Sequence, residues 1–284
     1  MPRSLKPPDE RSSRLPRDGR PKKSLGQHFL TDRSVVRRIV EAIGQPPIIV
    51  EVGPGPGVLT GPLAAAGGKL ICVELDDALA ARLQEHFATK PSVTVVHGDV
   101  LASPADALLL AGGVAPGTPY VVAGNLPYNI GAAILRHFLE ATCPPERMVV
   151  MLQREVARSI CARPGDMGLL AVATQTYAEP RLLFDVPPGA FAPPPKVTSS
   201  VIELTRRPTP LVMLEEREPF FATVRAGFSA PRKQLRNTLA QGLRIDASAA
   251  EAALASAGIE PSLRPAMLSV DDWLRLSRSL RGGG

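Results

Sequence analysis

The sequence predicts an α/β fold with a mostly parallel sheet covered on both faces, followed by a small all-helical domain. Three observations carry that expectation. Short β-branched apolar runs alternate with helical stretches of about ten residues, the signature of βαβ units. A glycine-rich loop follows the first of these runs directly. After Arg206-Arg207-Pro208-Thr209-Pro210 the strand signals stop and only helical periodicity remains.

Taken in order, Val35, Val36, Ile39, Val40 and Ile43 fall at helical spacing. Ile48–Val52 (IIVEV), closed by Gly53, reads as a buried strand. A helix over 58–66 leads to a strand at Leu70–Val73 and a helix at Asp76–Ala88. Val93–Val96 gives the next strand, 104–111 a helix, and Tyr120–Ala123 a fourth strand. Helix 130–140, strand 147–152, helix 153–162, strand 169–176 and strand 199–205 complete the run. Helices are then predicted near 216–227, 232–241, 248–257 and 270–280, with Gly242 and Gly258 as C-caps. The expected organisation is an arm at 1–23, an α/β domain at 24–208 and a helical domain at 209–284.

Composition narrows the function class. Hydrophobic residues make up 44% of the 284, enough for a sizeable core. No run approaches the roughly 18 apolar residues of a spanning helix, so no membrane role is expected. Cys72, Cys143 and Cys161 are odd in number and widely spaced, and form neither a disulfide framework nor a zinc pattern. A reducing, cytoplasmic setting fits. The net charge of +6 is uneven: residues 1–23 hold eight Lys/Arg against three Asp/Glu, a balance of +5. The body is close to neutral, so a nucleic-acid partner must be argued from local patches. The arm has five prolines and little apolar content and reads as a solvated, disordered tail rather than a targeting peptide.

The chemistry gathers at strand ends. Glu51-Val-Gly53-Pro-Gly55-Pro-Gly57 follows the first strand, and Glu74 ends the second, 21 residues after Gly53, placed to accept from ribose hydroxyls. The spacing is G-x-G-x-G, and its prolines remove backbone donors that would cradle a pyrophosphate. A nucleoside cofactor without phosphates fits better than NAD, although the loop alone is also a plausible tight turn. Gly98-Asp99 after the third strand offers a carboxylate for an adenine amine; alone, Gly-Asp is a common turn.

Asn125-Leu126-Pro127-Tyr128 follows the fourth strand. An exocyclic aromatic amine is a poor nucleophile because its lone pair is delocalised into the ring. Two acceptors, the Asn125 carboxamide oxygen and a carbonyl exposed by the proline turn, can hold both N–H bonds and localise that pair. Tyr128 adds a stacking face. His86, His97 and His137 lie apart without ligand-spaced partners, so no metal is expected.

Together, Gly53-Pro-Gly55, Glu74, Asp99 and Asn125-Leu-Pro-Tyr128 resemble the S-adenosylmethionine-dependent adenine N6 methyltransferases. Lys23-Ser24-Leu25-Gly26-Gln27-His28-Phe29-Leu30 resembles the opening motif of ribosomal-RNA adenine dimethyltransferases, and Phe191-Ala-Pro-Pro-Pro-Lys196-Val-Thr-Ser199 their aromatic and proline loop. Phe228-Ser-Ala-Pro-Arg232-Lys233-Gln-Leu-Arg236-Asn237 and Arg264–Trp273 resemble the C-terminal domain of the KsgA/RsmA type. The resemblance runs from about residue 22 to 275. It implies a Rossmann-like sheet of seven strands, the last antiparallel, and an RNA-facing helical domain. By position, it places His28, Leu30, Gly53, Gly55, Glu74, Asp99 and Asn125 at the S-adenosylmethionine site. Asn125 would also meet the target base, with Tyr128 and Phe191 stacking on its two sides. The family usually has Asn where this chain has His28. Lys196, Arg232, Lys233 and Arg236 are candidate RNA contacts, Arg232 and Arg236 sharing a helix face.

The implied reaction is dimethylation of two adjacent adenines near the 3′ end of small-subunit ribosomal RNA in an assembling subunit; the sequence does not fix the oligomeric state, a monomer being the expectation. Three other readings stay open: a large-subunit methyltransferase of the antibiotic-resistance kind, a non-catalytic RNA-binding assembly factor and, remotely, an NAD oxidoreductase.

Overall fold

The computed structural model describes residues 28–66 and 68–282. The predicted arm, and residues 23–27 of the opening motif, lie outside the described residues. In chain order the elements begin with β1 (Phe29–Leu30), α1 (Arg33–Ile43), β2 (Ile48–Val52), α2 (Thr60–Ala66), β3 (Lys69–Glu74), α3 (Asp77–Phe87) and β4 (Val93–His97). They continue with α4 (Ala105–Ala111), β5 (Val121–Asn125), α5 (Gly131–Leu139), β6 (Arg147–Gln153), α6 (Arg154–Ile160) and α7 (Leu169–Gln175). β7 (Ala178–Val186), β8 (Phe191–Ala192) and β9 (Ser199–Arg206) close the α/β part, and α8 (Arg217–Gly227), α9 (Leu235–Leu243), α10 (Ala247–Ser256) and α11 (Val270–Gly282) follow.

Seven strands form one sheet in the order β4-β3-β2-β5-β6-β9-β7. β2 to β6 are mutually parallel, and β9 runs antiparallel between β6 and β7. The expected seven-stranded sheet, its last strand in chain order antiparallel, is therefore present. β2 is buried throughout, as a central strand covered on both faces must be. Ile48, Val50 and Val52 face a core shared with α4, α5 and α6. Ile49 faces the opposite layer, with Leu63 of α2 and Val35, Val36, Ile39 and Ile43 of α1. Asp32 caps α1, its carboxylate accepting from the Ser34 and Val35 amides at 2.8 and 3.3 Å.

The chain runs outward from β2 through β3 to β4, then returns to place β5 on the other side of β2. That reversal leaves a crevice at the carboxyl ends of the strands. Parallel register brings Val52 level with Val73, and Glu74 level with His97, so the predicted strand-end residues share one edge.

Three expectations are corrected. Of residues 169–176, predicted as a strand, Leu169–Gln175 form helix α7, and the strand comes afterwards, as β7. Gly242 lies inside α9, where a Cβ would come within 2.7 Å of Ala226; the helix ends instead on Arg244 at φ 58°. Gly258, at φ 71° just beyond α10, does take the left-handed position expected of it. Finally, α9 starts at Leu235, so Arg232 does not share a helix face with Arg236. α8 to α11 enclose their own apolar cluster around Phe220, Leu239 and Trp273, which Met167, Ala171 and Val172 also join.

Candidate active site

The glycine loop after β2 is closed by its own hydrogen bonds. The Gly53 amide donates to the Val73 carbonyl at 3.0 Å and the Gly57 amide to the Pro54 carbonyl at 2.9 Å. The Gly55 amide donates to Glu74 Oε2 at 2.8 Å, while Pro54 and Pro56 have no amide hydrogen to offer. Its donors are spent, so the loop is no phosphate cradle. Gly53 and Gly55 sit at φ 64° and 56°, where a side chain would be strained. A Cβ on Gly53 would meet nothing within 4 Å and project into open space.

That space is a cleft of about 330 Å³, within the usual range for a small-molecule site. Glu74 forms one wall, only 4% exposed. Its Oε1 accepts from the Asp76 amide at 2.9 Å and its Oε2 from Gly55, which leaves lone pairs for ligand hydroxyls. Burial raises its carboxyl above the usual value, partly opposed by those amide bonds. Asp99 is exposed at the end of β4, its Oδ1 accepting from the Leu101 amide at 2.9 Å. Leu75, 47% exposed, adds an aliphatic face beside Glu74. No Lys or Arg lines the cleft among the described residues. A cationic ligand with a sugar and a flat base suits this lining better than a polyphosphate does.

At the far end stand Asn125, Leu126, Pro127 and Tyr128. The Asn125 amide Nδ2 donates to the His28 backbone carbonyl at 3.0 Å, leaving Oδ1 as a free-standing acceptor at the cleft. Pro127's own carbonyl is spent on the Ile130 and Gly131 amides. The preceding Leu126 carbonyl would then be the second acceptor of the turn, while the Leu126 side chain packs in the core. Tyr128 is half-buried and its Oη lies 2.6 Å from Ser199 Oγ; burial raises its phenol.

Two predicted site residues turn their side chains away from the cleft. Leu30 and Phe191 are 3% and 4% exposed and belong to the apolar layer with Val186 and Ala190. The cause is the β1–β8 pairing, Leu30 opposite Phe191 and Phe29 opposite Ala192, which turns both side chains inward. Phe29 was missed: it lines the cleft with its ring against Gly55, where an added Cβ would come within 3.1 Å of it. The aromatic nature of a residue next to His28 was the available signal. Lys196, Arg232 and Lys233 are exposed and away from the cleft lining. Arg236 is partly buried and paired with Glu251 at 2.8 Å.

Residues 19–281 match the family described as "Ribosomal RNA adenine dimethylase". The chain belongs to the ribosomal RNA adenine dimethylase family. Two curated relatives, both named "Ribosomal RNA small subunit methyltransferase A", come from Dehalococcoides mccartyi and Xanthomonas campestris pv. campestris. Each is 43% identical over 260 residues, covering 90% of this chain and 87% and 95% of the relatives. Among solved structures, the 23S rRNA methyltransferase ErmE is 31% identical with a TM-score of 0.68, covering 89% of this chain and 99% of that one. A dimethyladenosine transferase from Plasmodium falciparum aligns with a TM-score of 0.73 at 20% identity, covering 88% and 96%, and supports the fold. As a member of this family the chain is a methyltransferase whose methyl donor is S-adenosylmethionine. The cleft fits that donor. Glu74 and Asp99 would hold its ribose and adenine, and the open side of Gly53 would take its amino-acid part.

Proposed function

We propose that this adenine dimethylase acts on N6 of two adjacent adenines near the 3′ end of small-subunit ribosomal RNA, as a cytoplasmic monomer working on an assembling subunit. The observation that carries the site assignment is the hydrogen bond from Asn125 to the His28 carbonyl. It ties up the amide's donor end and leaves its oxygen as acceptor. With the Leu126 carbonyl, Asn125 Oδ1 holds the two N6 hydrogens and draws the lone pair out of conjugation with the ring. When bound, S-adenosylmethionine supplies a sulfonium-activated methyl carbon. The protein's part is to align the amine with it, exclude water and stabilise positive charge growing on nitrogen. The bound donor would give its methyl carbon to nitrogen, the C–S electron pair staying with the departing sulfur, and the amine proton would pass to solvent. No covalent intermediate on the protein is needed. A second turnover on the same nitrogen gives the dimethyl product.

Lys196, Arg232 and Lys233 would contact phosphates, positioning the RNA without reading its sequence. The small-subunit substrate is favoured by the higher identity to the relatives named for that activity, 43% against 31% for the 23S enzyme. Methyl-labelled cofactor is incubated with unmethylated small and large subunits, followed by nucleoside analysis. Dimethyladenine confined to small-subunit RNA is expected. Label confined to large-subunit RNA would replace this reading with the antibiotic-resistance one.

A further inference from the structure

We propose that Arg154, with Lys196 beside it, holds the phosphates that flank the target adenine at the mouth of the cleft; the inference rests on the adenine reading above. No Lys or Arg lines the cleft among the described residues, so the charge of an incoming strand must be met at the rim. A base whose amine reaches Asn125 leaves its sugar and both flanking phosphates outside, and phosphate contacts are what fix the register of a bound strand. The strand beside β5 supplies the position. Met151 of β6 stands level with Asn125, and its carbonyl accepts from the Leu126 amide at 3.1 Å. Arg154 comes three residues later, where β6 gives way to α6, at most about 10 Å further along the chain.

Its place is fixed by the same segment that fixes Tyr128. The Arg154 amide donates to the Thr198 carbonyl at 3.0 Å. Next to Thr198, Ser199 pairs with Gln153 across β6 and β9, and its Oγ lies 2.6 Å from Tyr128 Oη. Lys196 is carried by the loop that leads into this pairing, so both cations belong to the end of the β6–β9 pair that anchors the Tyr128 ring. Both side chains are exposed, and neither has a carboxylate partner among the described residues. Asp185 on β7 is already engaged by Arg158 at 3.6 Å and by the Ser200 hydroxyl at 2.6 Å. Glu155, the next residue, is exposed and forms no ion pair with either cation among the described residues. The planar fork of Arg154 suits a bidentate contact with phosphate, and the Lys196 ammonium adds a point charge.

The test uses the full chain and immature small subunits, with binding and methyl transfer followed over a range of salt concentrations. Arg154→Ala should raise KM for the subunits on the order of 10-fold, more than it lowers kcat, and reduce the slope of log affinity against log salt by about 1. S-adenosylmethionine affinity by calorimetry and the melting temperature should stay at the wild-type values. Arg154→Lys should keep the slope, and Arg154→Ala combined with Lys196→Ala should reduce it by about 2. The contact is located with an RNA spanning the target adenines, in which each phosphate flanking one of them is replaced in turn by a neutral methylphosphonate. One replacement should weaken binding to wild type on the order of 10-fold and leave binding to Arg154→Ala unaffected. A wild-type slope in Arg154→Ala, or phosphonates that cost the variant as much as they cost wild type, would overturn the inference. A wild-type enzyme that methylates only large-subunit RNA would strike the underlying reading instead, and the same comparisons would then decide the role of Arg154 on that RNA.

Discussion

Asn125 is anchored to His28 by an amide-to-carbonyl hydrogen bond of 3.0 Å, across 97 residues of chain. The bond joins the end of the central strand β5 to the segment leading into β1. It makes the orientation of the acceptor amide a property of the backbone. The cofactor loop is linked to the same segment through Phe29, which lies against Gly55. Donor and acceptor sides of the cleft thus share one short piece of chain.

Gly53→Ala should fold and bind poorly. Its Cβ meets no protein atom, so the cost to stability is confined to the left-handed backbone, about 1 kcal/mol. The methyl group enters the cleft instead, and S-adenosylmethionine affinity measured by calorimetry should fall at least about 10-fold, near 1.4 kcal/mol. Unchanged affinity would remove Gly53 from the cofactor site.

Glu51 should make stability fall with rising pH. It is 1% exposed and its Oε1 has no hydrogen-bond partner, while Cys72 Sγ donates to Oε2 at 3.4 Å. Burial pushes its carboxyl up from 4.5 to about 7. A group whose folded value is raised favours the folded state in its protonated form. That contribution is complete below about 4.5 and lost as pH climbs through about 7, a swing on the order of 3 kcal/mol. Glu51→Gln should therefore melt higher than wild type at about pH 8 and show a flatter profile down to about pH 5. Parallel melting curves across that window would contradict the assignment.

The basic residues of the helical domain should divide into two kinds. Arg232 and Lys233 are exposed on the turn before α9. Replacing either by Ala should weaken RNA binding and lower the slope of log affinity against log salt by about 1. Arg236 is paired with Glu251. Arg236→Ala should change the melting temperature, by the equivalent of about 1 kcal/mol or less, more clearly than it changes the salt slope. Equal slope changes for all three would show that Arg236 leaves its partner to meet RNA.

Most of this site was legible because the chemistry sits at strand ends, where parallel pairing converts sequence order into spatial neighbourhood. Glu74 and Asn125 close β3 and β5, and Asp99 follows β4 by two residues, so the three share an edge. The misreadings have physical causes. Leu169-Leu-Ala-Val-Ala-Thr-Gln-Thr176 is an apolar run that periodicity alone cannot assign to strand or helix. β7 was hidden by Pro180 and by side chains exposed on both faces, features tolerated because it forms the edge of the sheet. Phe191 lies in a proline-rich loop and reads as exposed. A two-residue pairing with β1, too short to leave a pattern, buries it. Arg236 looks like part of a basic cluster until α10 brings Glu251 to it.

The most direct test of the central claim is methyl transfer by Asn125→Ala, read as labelled dimethyladenine formed on unmethylated small subunits with cofactor binding measured in parallel. The expected result is near-normal binding of S-adenosylmethionine with turnover reduced on the order of 100-fold or more. Turnover close to wild type, with the amide gone, would contradict the account.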